Sequence, residues 1–162
     1  MTLEVGGRLP DAKFGIMTAD GPSEISTGEL TSGKTVVLFG VPGAFTPTCH
    51  NNHLPGFVEH ADTLKAKGVD TIAVVSVNDV FVMDAWKNAT NAGDNITFLS
   101  DTAAEFAEAA GLGLGPAPIF GHLRCQRFAL IAKDGEVIFM ASGDAPGEAT
   151  KSGAAAVLEA LA

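Results

Sequence analysis

Of the two cysteines in this chain, Cys49 ends the run Gly40-Val41-Pro42-Gly43-Ala44-Phe45-Thr46-Pro47-Thr48-Cys49, which leaves the apolar segment Val36-Val37-Leu38-Phe39 and enters a stretch with helical patterning. Strand, turn and helix in that order place a thiol in a first helical turn. Unpaired backbone N–H groups and the positive end of the helix dipole favour a thiolate there, and a thiolate is the nucleophilic form of cysteine. A free cysteine is otherwise most often a small buried hydrophobe, and the helix start argues against that for Cys49. Thr46 lies one helical turn earlier. Only three arginines occur, Arg8, Arg124 and Arg127, the last two beside the second cysteine in Arg124-Cys125-Gln126-Arg127-Phe128.

The run ending in Cys49 resembles the PGxFTPxC active-site loop of peroxiredoxins, and His53-Leu54-Pro55-Gly56-Phe57 resembles the type II, or peroxiredoxin-5-like, branch. Ser76-Val77-Asn78-Asp79, Trp86 and Arg127-Phe128-Ala129-Leu130 extend the likeness in the same order, from about Gly6 to about Gly143. By resemblance, Cys49 is the peroxidatic nucleophile, Thr46 hydrogen-bonds the thiolate and the incoming peroxide, Pro42 shields the sulfur from water, and Arg127 supplies positive charge. Chemistry agrees with those roles. A thiolate attacking an O–O bond builds negative charge on the departing oxygen, which a hydroxyl, backbone N–H groups and a guanidinium can stabilise.

Alternation along an extended 124–128 segment predicts Arg124 and Arg127 on opposite faces, and Cys125 on the same face as Arg127. The motif match makes Arg127 the inward arginine and leaves Arg124 as an outer-shell group. Type II peroxiredoxins carry a resolving cysteine before Ser-Val-Asn-Asp, or in the C-terminal segment, or none. Val74 occupies the first place here, and 144–162 contains no cysteine. Cys125 is therefore either a core thiol under the site or an unconventional resolving residue, and the demanding geometry of a disulfide favours the core thiol. If so, Cys49 sulfenic acid is reduced by glutathione or glutaredoxin, as the one-cysteine members of the branch imply. Thioredoxin would be the donor if Cys125 resolves.

The elements around these residues read as α/β. Strands are expected over 35–39, 71–77 and 97–99, helices over 49–67, 80–92 and 102–110, a hairpin over 127–132 and 136–141, and a last helix over 152–161. That order is a thioredoxin-like fold with a central mixed sheet flanked by helices, an N-terminal extension of about forty residues and an added middle helix. Pro55, inside the first helix, is expected to bend it or free a carbonyl. Thr46-Pro47-Thr48-Cys49 stands where a thioredoxin carries Cys-x-x-Cys, so a local dithiol exchange is closed to this chain and disulfide reductase activity is disfavoured.

With 162 residues and 46% hydrophobic content the chain supports one domain, 1–162. No apolar run spans a bilayer and no signal-peptide order begins the sequence, so a cytoplasmic location and no membrane partner are expected. The formal charge of −9, without basic stretches interleaved with aromatics, argues against a nucleic-acid binder, and no nucleic-acid partner is expected. Cys49, His50 and His53 fall short of a four-ligand zinc site, so no metal is expected, and no cofactor. His53 is instead a candidate for orienting or packing near the pocket, and Trp86 reads as core. The glycine-rich run 111–115 with Pro116 and Pro118 follows a helix and lacks Lys-Ser/Thr, which makes it a loop rather than a phosphate cradle.

The expected function is a thiol peroxidase acting on hydrogen peroxide or alkyl hydroperoxides, serving antioxidant defence and redox homeostasis. Family members commonly form homodimers through loops around the site, so a homodimer is expected. The competing expectation is a redox-sensing or chaperone-like interaction protein switched by Cys49 oxidation.

Overall fold

The chain opens on a hairpin whose strands, β1 (Lys13–Thr18) and β2 (Gly21–Ser26), pair antiparallel from Lys13↔Ser26 to Thr18↔Gly21. Gly21 sits at φ 109°, a left-handed value that suits glycine. The computed structural model describes residues 3–115, 118–119, 121, 123–144 and 148–162; Pro116 of the glycine-rich run lies outside them. Helix α1 (Thr27–Thr31) starts on a capping box, in which Ser26 accepts from Glu29 N–H and the Glu29 carboxylate from Ser26 N–H.

Strand β3 (Thr35–Gly40) feeds the loop that carries Cys49, and a π turn (Cys49–His53) is followed by α2 (Leu54–Glu59) and α3 (Ala61–Ala66). Next come β4 (Thr71–Ser76), α4 (Val80–Ala89), a 3₁₀ turn (Gly93–Asn95), β5 (Thr97–Ser100) and α5 (Glu105–Ala109). Two-residue strands β6 (Gly113–Leu114) and β7 (Arg124–Cys125) pair with each other. The hairpin β8 (Phe128–Lys133) and β9 (Glu136–Ser142) and helix α6 (Ala154–Ala160) complete the order.

Seven strands form one mixed sheet in the order β2-β1-β5-β4-β3-β8-β9. Strands β3, β4 and β5 are parallel, while β8 and β9 and the N-terminal hairpin run antiparallel. Helices cover both faces, so the central strands read as continuous apolar runs instead of alternating ones. One face packs Val36, Leu38, Phe128 and Leu130 against Phe106 of α5. The other packs Val37, Phe39 and Ile131 against Phe57, Leu64, Trp86 and Val157 from α2, α3, α4 and α6. Mixed sheet, flanking helices and N-terminal extension are those of the thioredoxin-like fold expected above.

Two elements differ from expectation where the site lies. The helix expected over 49–67 is broken into a π turn and two α-helices, with His60 at φ −98°, ψ 8° between α2 and α3. Leu54 N–H donates to Cys49 O, five residues back, and Pro55 follows at the start of α2. Pro55 has no N–H to return to the preceding turn and its ring crowds the carbonyl there, which accounts for the widening. Second, the strand expected from 127 begins at Phe128, and 126–127 break the extended path between β7 and β8.

Candidate active site

Cys49 is reached from β3 through a loop that turns helical at Pro47 and Thr48. His50 N–H donates to Thr46 O at 2.8 Å, so Thr46 closes the first turn in which Cys49 lies. The loop is built to hold this entry. Phe45 takes φ 64°, a left-handed conformation that costs a bulky residue energy, and its ring stacks on His50 at 5.6 Å. Trp86 Nε1 donates to His50 Nδ1 at 3.1 Å, tying the residue after Cys49 to α4. Asn78 Oδ1 accepts from Ala44 N–H at 2.8 Å and from Ser76 Oγ at 2.7 Å, which fixes the loop to the end of β4. Thr46 Oγ1 donates to Gly43 O at 2.7 Å, leaving its lone pairs to accept from an incoming O–H.

Cys49 Sγ is fully buried, and Arg127 Nη2 donates to it at 3.4 Å. Arg127 reaches the sulfur from the break between β7 and β8. Its Nη1 contacts His53 Nδ1 at 3.1 Å, and His53 Nε2 contacts Ser152 O at 2.8 Å. A guanidinium only donates and a carbonyl only accepts, so the two contacts require the same neutral imidazole, bare at Nδ1 and protonated at Nε2. Burial pushes His53 down to about 4, against the pull of the Ser152 carbonyl, with the Arg127 charge lowering it further. Phe39 and Phe57, stacked on each other at 4.0 Å, hold the His53 ring edgewise at 5.0 and 5.6 Å.

The four residues expected at the site divide unequally. Cys49 and Arg127 are in direct contact, and Thr46 is in the same turn as Cys49. Pro42 is half-buried in the loop, and its carbonyl accepts from Arg124 Nη1 at 3.2 Å. Arg124 and Arg127 thus both reach the loop that carries the thiol. Alternation fails here because 126–127 are not strand: Gln126 N–H and side chain instead bond Leu112 O and Gly113 O at 2.7 and 2.9 Å. The same break sends Cys125 to the opposite face of the sheet from Cys49, into the cluster of Leu38, Phe106 and Phe128.

Both cysteines are free. Burial pushes the Cys125 thiol far above the ordinary thiol range, as expected of an inert core group. His50 and His53 are each engaged by hydrogen bonds rather than grouped as ligands. Asp144 and Ser152 were invisible to sequence reasoning, because their link to His53 passes through a main-chain carbonyl. Asn78 belongs to the run Ser76-Val77-Asn78-Asp79, yet nothing local in that run reveals that its side chain holds the active-site loop.

The Redoxin family model matches residues 4–158. Rice (Oryza sativa subsp. japonica) peroxiredoxin-2C is 46% identical over 158 residues, covering 97% of each chain. The chain belongs to the peroxiredoxins, in their type II, peroxiredoxin-5-like branch. Another rice peroxiredoxin, the chloroplastic 2E-2, is 47% identical over 99% of this chain and 73% of its own length. Among solved structures, that of reduced Prx3 from Vibrio vulnificus in complex with hydrogen peroxide superposes with a TM-score of 0.93 at 47% identity, covering 99% of this chain and 100% of that one. As a peroxiredoxin, this protein is a peroxidase with a thioredoxin fold.

Proposed function

We propose that Cys49 reduces hydrogen peroxide and alkyl hydroperoxides, and that the resulting sulfenic acid is re-reduced by glutathione or glutaredoxin. The observation that carries the reading is the 3.4 Å contact between Arg127 Nη2 and Cys49 Sγ in a first helical turn. The thiolate sulfur attacks one peroxide oxygen, an S–O bond forms as the O–O bond breaks, and the leaving oxygen takes a proton to become water or an alcohol. Sulfur loses two electrons and the peroxide gains them. Arg127 supplies charge where the leaving oxygen turns anionic, and the lone pairs of Thr46 Oγ1 receive the peroxide O–H. Pro42 limits water at the sulfur.

The location of Cys125 supports a small-molecule or glutaredoxin reductant. With the second thiol across the sheet, a sulfenic acid at Cys49 condenses with an external thiol, releasing water and leaving a mixed disulfide. A second external thiol then releases Cys49 as the thiol and carries away the disulfide. Because Cys49 is fully buried, the first helical turn has to open for that exchange. We further propose a homodimer formed through loops near the site, where Phe45 is 48% exposed, together with the start of α4, where Phe81 is 65% exposed.

Peroxide consumption with glutathione plus glutaredoxin, and separately with thioredoxin plus its reductase, tests the reading on wild type and Cys49→Ser. Turnover with glutathione and glutaredoxin, absent in Cys49→Ser, is expected. Turnover by Cys49→Ser would overturn the assignment of the nucleophile. Saturation with thioredoxin alone would replace the reductant, and oxidation of Cys49 that changes association without turnover would favour a redox sensor.

A further inference from the structure

Beyond the residues that touch the sulfur, a chain of hydrogen bonds runs from the loop between β9 and α6 to the guanidinium. Asp144, half-buried after β9, accepts from three donors: Lys151 N–H at 2.7 Å, Ser152 N–H at 3.1 Å and Ser152 Oγ at 2.5 Å. A carboxylate held by three donors fixes the peptide that they bracket. Ser152 is fully buried, and its carbonyl accepts from His53 Nε2 at 2.8 Å. At the other side of the ring, bare Nδ1 accepts from Arg127 Nη1 at 3.1 Å, while Nη2 of the same guanidinium reaches Cys49 Sγ at 3.4 Å.

The proton on His53 is the link. In the other tautomer, Nδ1–H would face a guanidinium donor and bare Nε2 would face a carbonyl oxygen, breaking both contacts at once. The Ser152 carbonyl therefore selects the tautomer that can hold Arg127, and Asp144 holds that carbonyl in place. Lys151 Nζ adds a donor to Gly143 O at 3.3 Å, closing the same loop a second time. Arg127, on the break between β7 and β8, has no regular strand to orient it, so its aim depends on what its Nη1 meets.

We propose that Asp144 is a positioning residue for the chemistry of Cys49, fixing through Ser152 the tautomer and orientation of His53, and through His53 the guanidinium of Arg127. The proposal rests on Arg127 acting at the peroxide, as read above. It gives the C-terminal segment a part in peroxide attack through Ser152 O, with the guanidinium of Arg127 as the group that meets the sulfur.

The test combines two measurements on the full chain. Stopped-flow reaction of the reduced protein with hydrogen peroxide is followed for wild type, Asp144→Ala, Arg127→Ala and the double variant. Long-range ¹⁵N–¹H correlations read the His53 tautomer in wild type and Asp144→Ala. Asp144→Ala is expected to slow peroxide attack about tenfold, a loss typical of slight misplacement of a working group, and to populate the second tautomer. In the Arg127→Ala background the same substitution is expected to change the rate by less than about twofold, the non-additivity of residues acting in series.

A loss of equal size in both backgrounds would mean a structural effect that bypasses Arg127, and would overturn the proposal. So would a wild-type rate with the His53 proton still on Nε2. Should the alanine variant fail to fold, Asp144→Asn, which keeps one acceptor oxygen, takes its place with smaller changes of the same sign. Failure of wild type itself to react with peroxide would defeat the peroxidase reading, while the tautomer shift would still decide whether Asp144 governs His53.

Discussion

Cys49 and Cys125, the two thiols of the chain, lie on opposite faces of one seven-stranded sheet. Cys49 belongs to the face covered by α2, α3, α4 and α6, and Cys125 to the face covered by α5. A Cβ added at Gly40 would fall 3.0 Å from Cys125 Sγ and only 2.1 Å from Phe128 Cε1, so the second thiol is packed directly under the strand that leads to the active-site loop. A disulfide needs Cα atoms roughly 4.4 to 6.8 Å apart with side chains directed at each other, and two thiols packed into separate cores on the two faces of a sheet would have to leave their packing to meet.

Oxidation by one equivalent of hydrogen peroxide is therefore expected to leave Cys125 as a free thiol. Peptide mapping without reductant checks this. A peptide joining Cys49 to Cys125 would show that the strand break rearranges far more than its packing implies, and Cys125→Ser should retain peroxide consumption.

Arg127→Ala is expected to slow peroxide attack by about 10²-fold to 10³-fold, the usual cost of removing one preorganised donor from a developing oxyanion. It also strips His53 Nδ1 of its donor, which costs about 1–3 kcal/mol for a buried acceptor and should lower thermal stability. Arg127→Lys should recover only part of the rate, because an ammonium is a point charge without the planar fork that spans His53 and Cys49. Stopped-flow rates and melting curves on the two variants separate these effects.

His53 makes stability depend on pH. Its ordinary value is 6.5 and burial lowers it to about 4 in the folded protein, so the unfolded chain binds the extra proton first. Stability contributed by the neutral ring is complete above pH 6.5, falls as pH drops from 6.5 to about 4, and is level below, with a total of about 3 kcal/mol at most. Asp101, raised by burial, works in the opposite direction at the acid end. Denaturation midpoints of wild type and His53→Gln across pH 4 to 7 isolate the histidine: the variant's curve should be flatter over that window. Parallel curves would mean that His53 does not titrate as its burial requires.

Gly40→Ala should destabilise the protein by about 1–3 kcal/mol, the range for overpacking a dense core, since the new methyl group would collide with the Phe128 ring. Thermal melting measures it. A melting point equal to that of wild type would show that Phe128 can move aside without loss.

Much of this was written in local sequence. Buried apolar runs marked β3, β4 and β8 because both faces of a mixed sheet must be covered, and the loop from Gly40 to Cys49 announced the thiol at a helix start. The π turn was half legible: Pro55 signalled a disturbed helix, but only packing decided that the turn before it would widen. Alternation misled at 126–127, where Gln126 leaves the extended path to bond Leu112 and Gly113. That detour puts Cys125 under the sheet and lets both Arg124 and Arg127 reach the active-site loop. Asp144 and Ser152 left no trace, since a main-chain carbonyl that selects a tautomer has no side-chain signature.

The measurement that bears most directly on the central claim is the intact mass of the fully reduced protein after one equivalent of hydrogen peroxide, for wild type and Cys125→Ser, before and after adding glutathione. Both proteins should gain one oxygen atom, mapped to Cys49, and both should then convert to a single glutathione adduct at the same residue. Unmodified Cys49 in the presence of unconsumed peroxide would contradict its assignment as the nucleophile, and a wild-type product lacking two hydrogens would contradict the one-cysteine cycle.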